Sequence, residues 1–298
     1  MIVRAVRLFL AVAVAMCAAA GVLVTSVGAR PQGQQKVALV TVVADANGPI
    51  KDLTAKDFIV TEDNAKREVV AAQLADDPLS VALLIDTTQP PMGITPPVQD
   101  LRTAVTTFVR TVQAGSPGAK ISLSEIAGAA LTPVNFTTKF EDLEKAIGHL
   151  VPNEPREAVL LEGLVDASKR LGEQPPPRRA IVSVDFNSKE GSAERTLKTA
   201  VDAVHNAGAT LWPVSVRGSA QTTPMREEAL NKITLANGGM RFQPVDAPGL
   251  EPNLKIVANS LNSQYTITFT RPDGGKPKVL GHGCCSYRQK RSGHPCRN

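Results

Sequence analysis

The chain has 298 residues, 43% of them hydrophobic and 20% charged, so it reads as an ordinary globular protein with room for one large domain and a smaller one. Its formal charge of +5 comes from the two ends, Arg4 and Arg7 at the start and Arg288, Lys290, Arg291 and Arg297 at the finish. The stretch between them is close to neutral and offers no basic face of the kind a nucleic-acid binder needs, so no nucleic-acid partner is expected.

In chain order, Arg4 and Arg7 precede an apolar run from Leu8 to Val24, and Val27-Gly28-Ala29 places small residues before a cleavage point. This is the order of a secretory signal, so residues 1–29 are expected to be removed. The mature protein would then be secreted, periplasmic or held at the cell envelope, with no membrane segment of its own. The alternative is an uncleaved anchor, for which the run is near the lower limit of a span. Cys17 falls inside the signal, and Met16 before it is too bulky for lipid-attachment processing. The other cysteines, Cys284, Cys285 and Cys296, crowd the C-terminus, so the body of an exported protein here does not rely on disulfides. Together with His282 and His294 they could be drawn as a zinc cluster, but the paired Cys-x-x-Cys halves of such sites are missing.

Residues 30–76 predict a small β-rich module. Lys36 to Ala44 is Val-rich, Asp45-Ala46-Asn47-Gly48-Pro49 supplies turn chemistry, and Ile59 to Asn64 and Lys66 to Gln73 read as further strands. So small a sheet needs something to pack on.

From residue 77 to 280 the pattern becomes alternating strand and helix. With aromatics at only 4%, its core must be built from Val, Leu, Ile and Ala. Strands are predicted at Leu79–Ile85, Lys120–Ile126, Leu131–Phe136, Ala180–Asp185, Ala209–Val216 and Gln264–Thr270. Helices are predicted at Val98–Val112, Phe140–Leu150, Ala158–Leu171, Ala193–Asn206, Glu227–Ala236 and Leu250–Leu261. Gly208 should stop one helix, and Gly238-Gly239 should make a tight helix-to-strand turn at positive φ. The fold class is therefore α/β: a doubly wound, mostly parallel sheet with helices on both faces, plus the small N-terminal module. Asp273-Gly274 would turn the chain into a closing hairpin with Lys276–Leu280. Residues 281–298 lack periodicity and predict a disordered basic tail.

The informative stretch is Pro78-Leu79-Ser80-Val81-Ala82-Leu83-Leu84-Ile85-Asp86-Thr87-Thr88-Gln89-Pro90. A fully apolar strand runs into an acid, hydroxyls and a proline break. Ligands of parallel sheets bind outside the carboxyl ends of the strands, and a second strand, Ala180 to Asp185, also ends in an acid. The two are expected side by side at one sheet edge.

This arrangement resembles the von Willebrand factor A-type domain, and more widely a group of secreted bacterial proteins carrying such a domain behind a small β segment. The resemblance spans roughly residues 36–280. It is carried by Leu53-Thr54-Ala55-Lys56-Asp57-Phe58-Ile59-Val60-Thr61-Glu62-Asp63, Pro78 to Thr88, Leu235-Ala236-Asn237-Gly238-Gly239-Met240-Arg241-Phe242 and Ser263-Gln264-Tyr265-Thr266-Ile267. It implies a metal-ion-dependent adhesion site, built from an Asp-x-Ser-x-Ser loop, a Thr from a second loop and an Asp after a later strand.

Carried over residue by residue, Asp86 matches the first Asp, Thr88 the first Ser and Asp185 the later Asp. Pro90 stands at the second Ser and Ala158 at the Thr, while Phe186 replaces the usual Gly after the later Asp. The residual set for Mg²⁺ is thus Asp86, Thr88 and Asp185, and Mg²⁺ demands near-octahedral oxygen ligation. The expectation is a degenerate site with no cofactor. It would bind a protein partner without metal, through the Asp86–Thr95 loop, the 153–158 loop and the segment after Asp185. Equally, Asp86 and Asp185 could simply cap helices or bind loop amides.

No nucleophile elbow, phosphate loop or His-Glu-x-x-His motif is present, and His149 and His205 lie in predicted helices, so no catalytic residue is expected. The rival readings are a hydrolase using Asp86 and Asp185 as its carboxylates or through a metal, and a purely structural envelope component.

Overall fold

The computed structural model describes residues 34–62, 65–89, 98–194, 196–217, 223–271 and 286–287. The expected signal peptide, Pro90 and Thr95, the expected closing hairpin and all three C-terminal cysteines lie outside the described residues.

The first strands are β1 (Gln34–Thr41), β2 (Phe58–Glu62), β3 (Ala65–Arg67) and β4 (Val69–Leu74). Then follow β5 (Ser80–Ile85), α1 (Val98–Gly115), β6 (Lys120–Ala127), β7 (Ala129–Thr137), α2 (Phe140–His149) and α3 (Leu160–Gly172). The chain continues with β8 (Arg179–Asp185), α4 (Thr196–Ala207), β9 (Thr210–Ser215), α5 (Pro224–Asn237), α6 (Leu250–Leu261) and β10 (Gln264–Arg271).

The larger sheet has the order β7-β6-β5-β8-β9, parallel except for β7, which returns from β6 as a hairpin. Its central strand β5 is buried along its whole length, which is why it reads as an uninterrupted apolar run rather than an alternation. Val81, Leu83 and Ile85 face one layer, where they meet Phe108 and Val112 of α1, Leu143 of α2 and Leu254 of α6. Ala82 and Leu84 face the other, with Leu164 of α3, Val204 of α4 and Leu230 of α5. Helices on both faces make the sheet doubly wound. Because β6 lies on one side of β5 and β8 on the other, the crossovers diverge between β5 and β8. A crevice opens there at the carboxyl ends of the strands.

One expectation is corrected. Gln264–Arg271 does not complete the α/β sheet; it is the middle strand of a second sheet, ordered β1-β10-β4, antiparallel throughout. The pattern of Tyr265, Ile267 and Phe269 agrees with this, since strict alternation marks an antiparallel strand with one face on a core. Those three residues form that core with Val42, Phe58 and Val60. The N-terminal module is therefore completed by the end of the chain. A further pairing joins Ser286 and Tyr287, within the stretch expected to be disordered, to Ile59 and Phe58 of β2; the open backbone groups of an edge strand accept such a partner.

The two sheets are tied together by Arg178, which is only 4% exposed. It donates from Nε to Gln264 Oε1 at 2.8 Å, from Nη1 to the carbonyls of Ala75 and Asp77, and from Nη2 to Ser116 Oγ and the Leu261 carbonyl. These bonds satisfy all three nitrogens, which makes burial of the charge tolerable.

Candidate functional site

Asp86 and Asp185 end neighbouring strands. Ile85 is in register with Val184, and the Asp86 amide donates to the Val184 carbonyl at 2.9 Å. Both lie at the crevice between β5 and β8, and both are almost completely buried, at 0% and 1% exposure.

Asp86 folds back on its own loop. Its Oδ1 accepts from the Thr88 amide at 2.9 Å and from Thr88 Oγ1 at 2.6 Å, a side-chain-stabilised turn. Thr88 Oγ1 is also 2.6 Å from Ser188 Oγ in the loop after β8. Asp86 Oδ2 is buried and has no hydrogen-bond partner among the described residues. Burial pushes the Asp86 carboxyl above the usual carboxylate range, and the hydrogen bonds from Thr88 and Ser188 and the charge of Arg226 only partly oppose it.

Asp185 has different company. Its Oδ1 accepts from the Asn187 amide at 3.0 Å and its Oδ2 accepts from Ser215 Oγ at 2.7 Å. Ser215 is the register partner of Asp185 at the end of β9. Nη1 of Arg226, in the first turn of α5, lies 3.6 Å from Asp185 Oδ1, and its Nε donates to Glu190 Oε2 at 2.9 Å. Glu190 in turn accepts from the Leu161 and Ser192 amides through Oε1, so it sits at the start of α3, where backbone N–H groups favour an anion.

The loops converge as expected. Gln89 N donates to the Glu154 carbonyl at 2.7 Å and Glu154 N to that of Thr87 at 3.1 Å. Ala158, buried, exchanges backbone bonds with Lys189 and Gly191. The exposed rim is made by Gln89, Asn153, Pro155, Arg156, Glu157 and Lys189, with Lys189 paired to Glu157 and Arg156 to Glu154.

Sequence reasoning missed Ser188, Glu190, Ser215 and Arg226. A hydroxyl closing an apolar strand gave some signal for Ser215. For Glu190 and Arg226 there was none, since an acid in a loop and an arginine in a first helical turn are ordinary surface residues.

No family model and no curated protein matches this sequence. Among solved structures, a von Willebrand factor type A structure from Catenulispora acidiphila superposes with a TM-score of 0.53 at 12% identity, covering 78% of this chain and 51% of that one. The fold is that of a von Willebrand factor A-type domain. The present chain spans about half the length of the Catenulispora structure. Also similar are the SpRpn10 VWA domain, with a TM-score of 0.46, 12% identity and coverage of 58% of this chain and 93% of that one, and BatB from Bacteroides thetaiotaomicron, with a TM-score of 0.47, 13% identity and coverage of 62% and 100%.

The vWA-type fold implies a divalent cation at this rim, and the residues at the crevice fit one badly. Ala158 brings no side-chain oxygen. The hydroxyls of Thr88 and Ser188 are turned on each other and on Asp86, and a guanidinium already stands beside Asp185. A hard cation needs six well-placed oxygens, and here the nearest ones are engaged by protein donors. Both acids bind loop amides, the simpler alternative the sequence allowed.

Proposed function

We propose that the protein is exported and that its vWA-type domain binds another protein through the rim at the carboxyl ends of β5 and β8, without metal and without catalysis. The observation that carries this reading is the junction of three loops, 86–89, 153–158 and 185–192, on a buried polar base. Such a base holds the exposed rim in one shape, and a preorganised surface binds at lower entropic cost. Export rests on the signal-like N-terminal pattern. Among the described residues no helix is long and apolar enough to cross a membrane.

The hydrolase reading is less favoured. Its two carboxylates are buried beneath the rim and occupied by protein donors, whereas a general acid or base must reach its substrate within hydrogen-bond distance.

The test uses photoreactive groups at Gln89 and Lys189 on the rim and at Lys232 on the outer side of α5, each in the full-length protein expressed in its own cell. The expected result is one discrete adduct from both rim positions and none from Lys232. Equal labelling from all three positions, or none from the rim, would remove the binding reading.

A further inference from the structure

We propose that Arg226 is the resident cation of this site: its guanidinium, held between Asp185 and Glu190, does the charge-neutralising and loop-joining work of a divalent ion. The proposal concerns the buried base and stands apart from the binding reading, which concerns the exposed rim.

The geometry is specific. Arg226 is 1% exposed, although it comes from the first turn of a helix whose neighbouring residues reach the surface. Arginine is almost never buried unless paired. Its two partners come from the end of β8 and from the loop after it, with side chains 1% and 0% exposed. Glu190 also anchors α3 through the Leu161 amide, and its own amide donates to Thr223 Oγ1 at 3.0 Å, at the start of α5. One guanidinium thus links β8, the 185–192 loop, α3 and α5. These are the elements that converge on the crevice.

Charge balance points the same way. Two buried carboxylates, Asp185 and Glu190, face each other's field across Arg226, and Asp86 stands close enough to act on it as well. Without a cation, this group of acids would carry a prohibitive desolvation cost. A guanidinium is planar, permanently charged and weakly hydrated, and so is suited to such a place. A second, divalent cation would meet repulsion from Arg226. Nη1 and Nη2 have no hydrogen-bond partner among the described residues, so donors remain aimed into the polar base where an oxygen, from water or from the protein, can be held.

The experiment uses Mn²⁺ as probe, with the free ion followed by electron paramagnetic resonance and thermal unfolding followed in Mn²⁺ and in EDTA. It compares the full-length protein, Arg226→Met and the double variant Arg226→Met/Glu190→Gln. For the unaltered protein, the expected result is no stoichiometric Mn²⁺ binding and the same midpoint in both buffers. For Arg226→Met, the midpoint should fall by roughly 6–20 °C, and removing the Glu190 charge as well should recover part of that loss. Micromolar binding of one Mn²⁺ by the unaltered protein would overturn the proposal whether or not the variants fold. So would a Met variant as stable as the parent, or a double variant no more stable than the single one.

Discussion

Asp86 and Asp185 are the same residue type at equivalent places on adjacent strands, yet their surroundings separate them. Asp185 is met by Ser215, the Asn187 amide and a guanidinium. Asp86 is met by Thr88 on one oxygen, while burial raises its pKa. The sign of the consequence follows from linkage. A carboxyl whose pKa is higher folded than unfolded holds its proton more tightly in the native state. Its favourable contribution is complete below the unfolded value of about 3.9 and is lost as pH climbs through the folded value, at up to about 1.4 kcal/mol per pH unit. Urea unfolding of the parent and Asp86→Asn should therefore diverge as pH rises from 4 towards neutrality, the parent losing ground. Parallel pH profiles would show that Asp86 is ionised in both states.

At the scale of elements, the predicted glycine roles can be compared directly. Gly238 and Gly239, expected at positive φ between a helix and a strand, have φ of 82° and 104°. A Cβ on Gly239 would come within 1.9 Å of the Leu211 carbonyl oxygen, at the start of β9, while one on Gly148, in α2, would meet nothing within 4 Å. Gly239→Ala should thus cost more than about 2 kcal/mol, because backbone conformation and backbone contact both oppose it. Gly148→Ala should be neutral or stabilise by up to about 1 kcal/mol through helix propensity. Chemical denaturation of the two variants checks both values, and a reversal of their order would mean the turn after α5 is not as described. The helix and strand positions were legible because they depend on periodicity, a property of a dozen neighbouring residues. Which strand pairs with which was less so. Gln264–Arg271 has a clear strand pattern, but nothing within it names β1 and β4 as partners.

For the whole molecule, the late return of the chain into the first sheet makes the two units interdependent. The central strand of the N-terminal module lies after the last helix of the vWA-type domain, and Arg178 bonds to both. Arg178→Met should destabilise by about 3–5 kcal/mol, since it strips several buried acceptors of one shared donor. A chain ended at Ser263 should lose β-sheet signal in circular dichroism and amide protection across 34–74, while the buried helices of the larger domain keep theirs. Retained protection in 34–74 would show that the module holds together without β10.

The sequence by itself determined the α/β class, the positions of most strands and helices, and the adjacency of the two acidic strand ends. Hydrophobic periodicity and strand-end chemistry are local signals, and parallel sheets place the ends of neighbouring strands at a common edge. Only the tertiary structure decided what those acids meet. Glu190 and Arg226 lie 36 residues apart in the chain, and their pairing is set by how α5 docks beside β8. That docking is a matter of shape and charge across the fold, and leaves no mark on either residue's immediate neighbours.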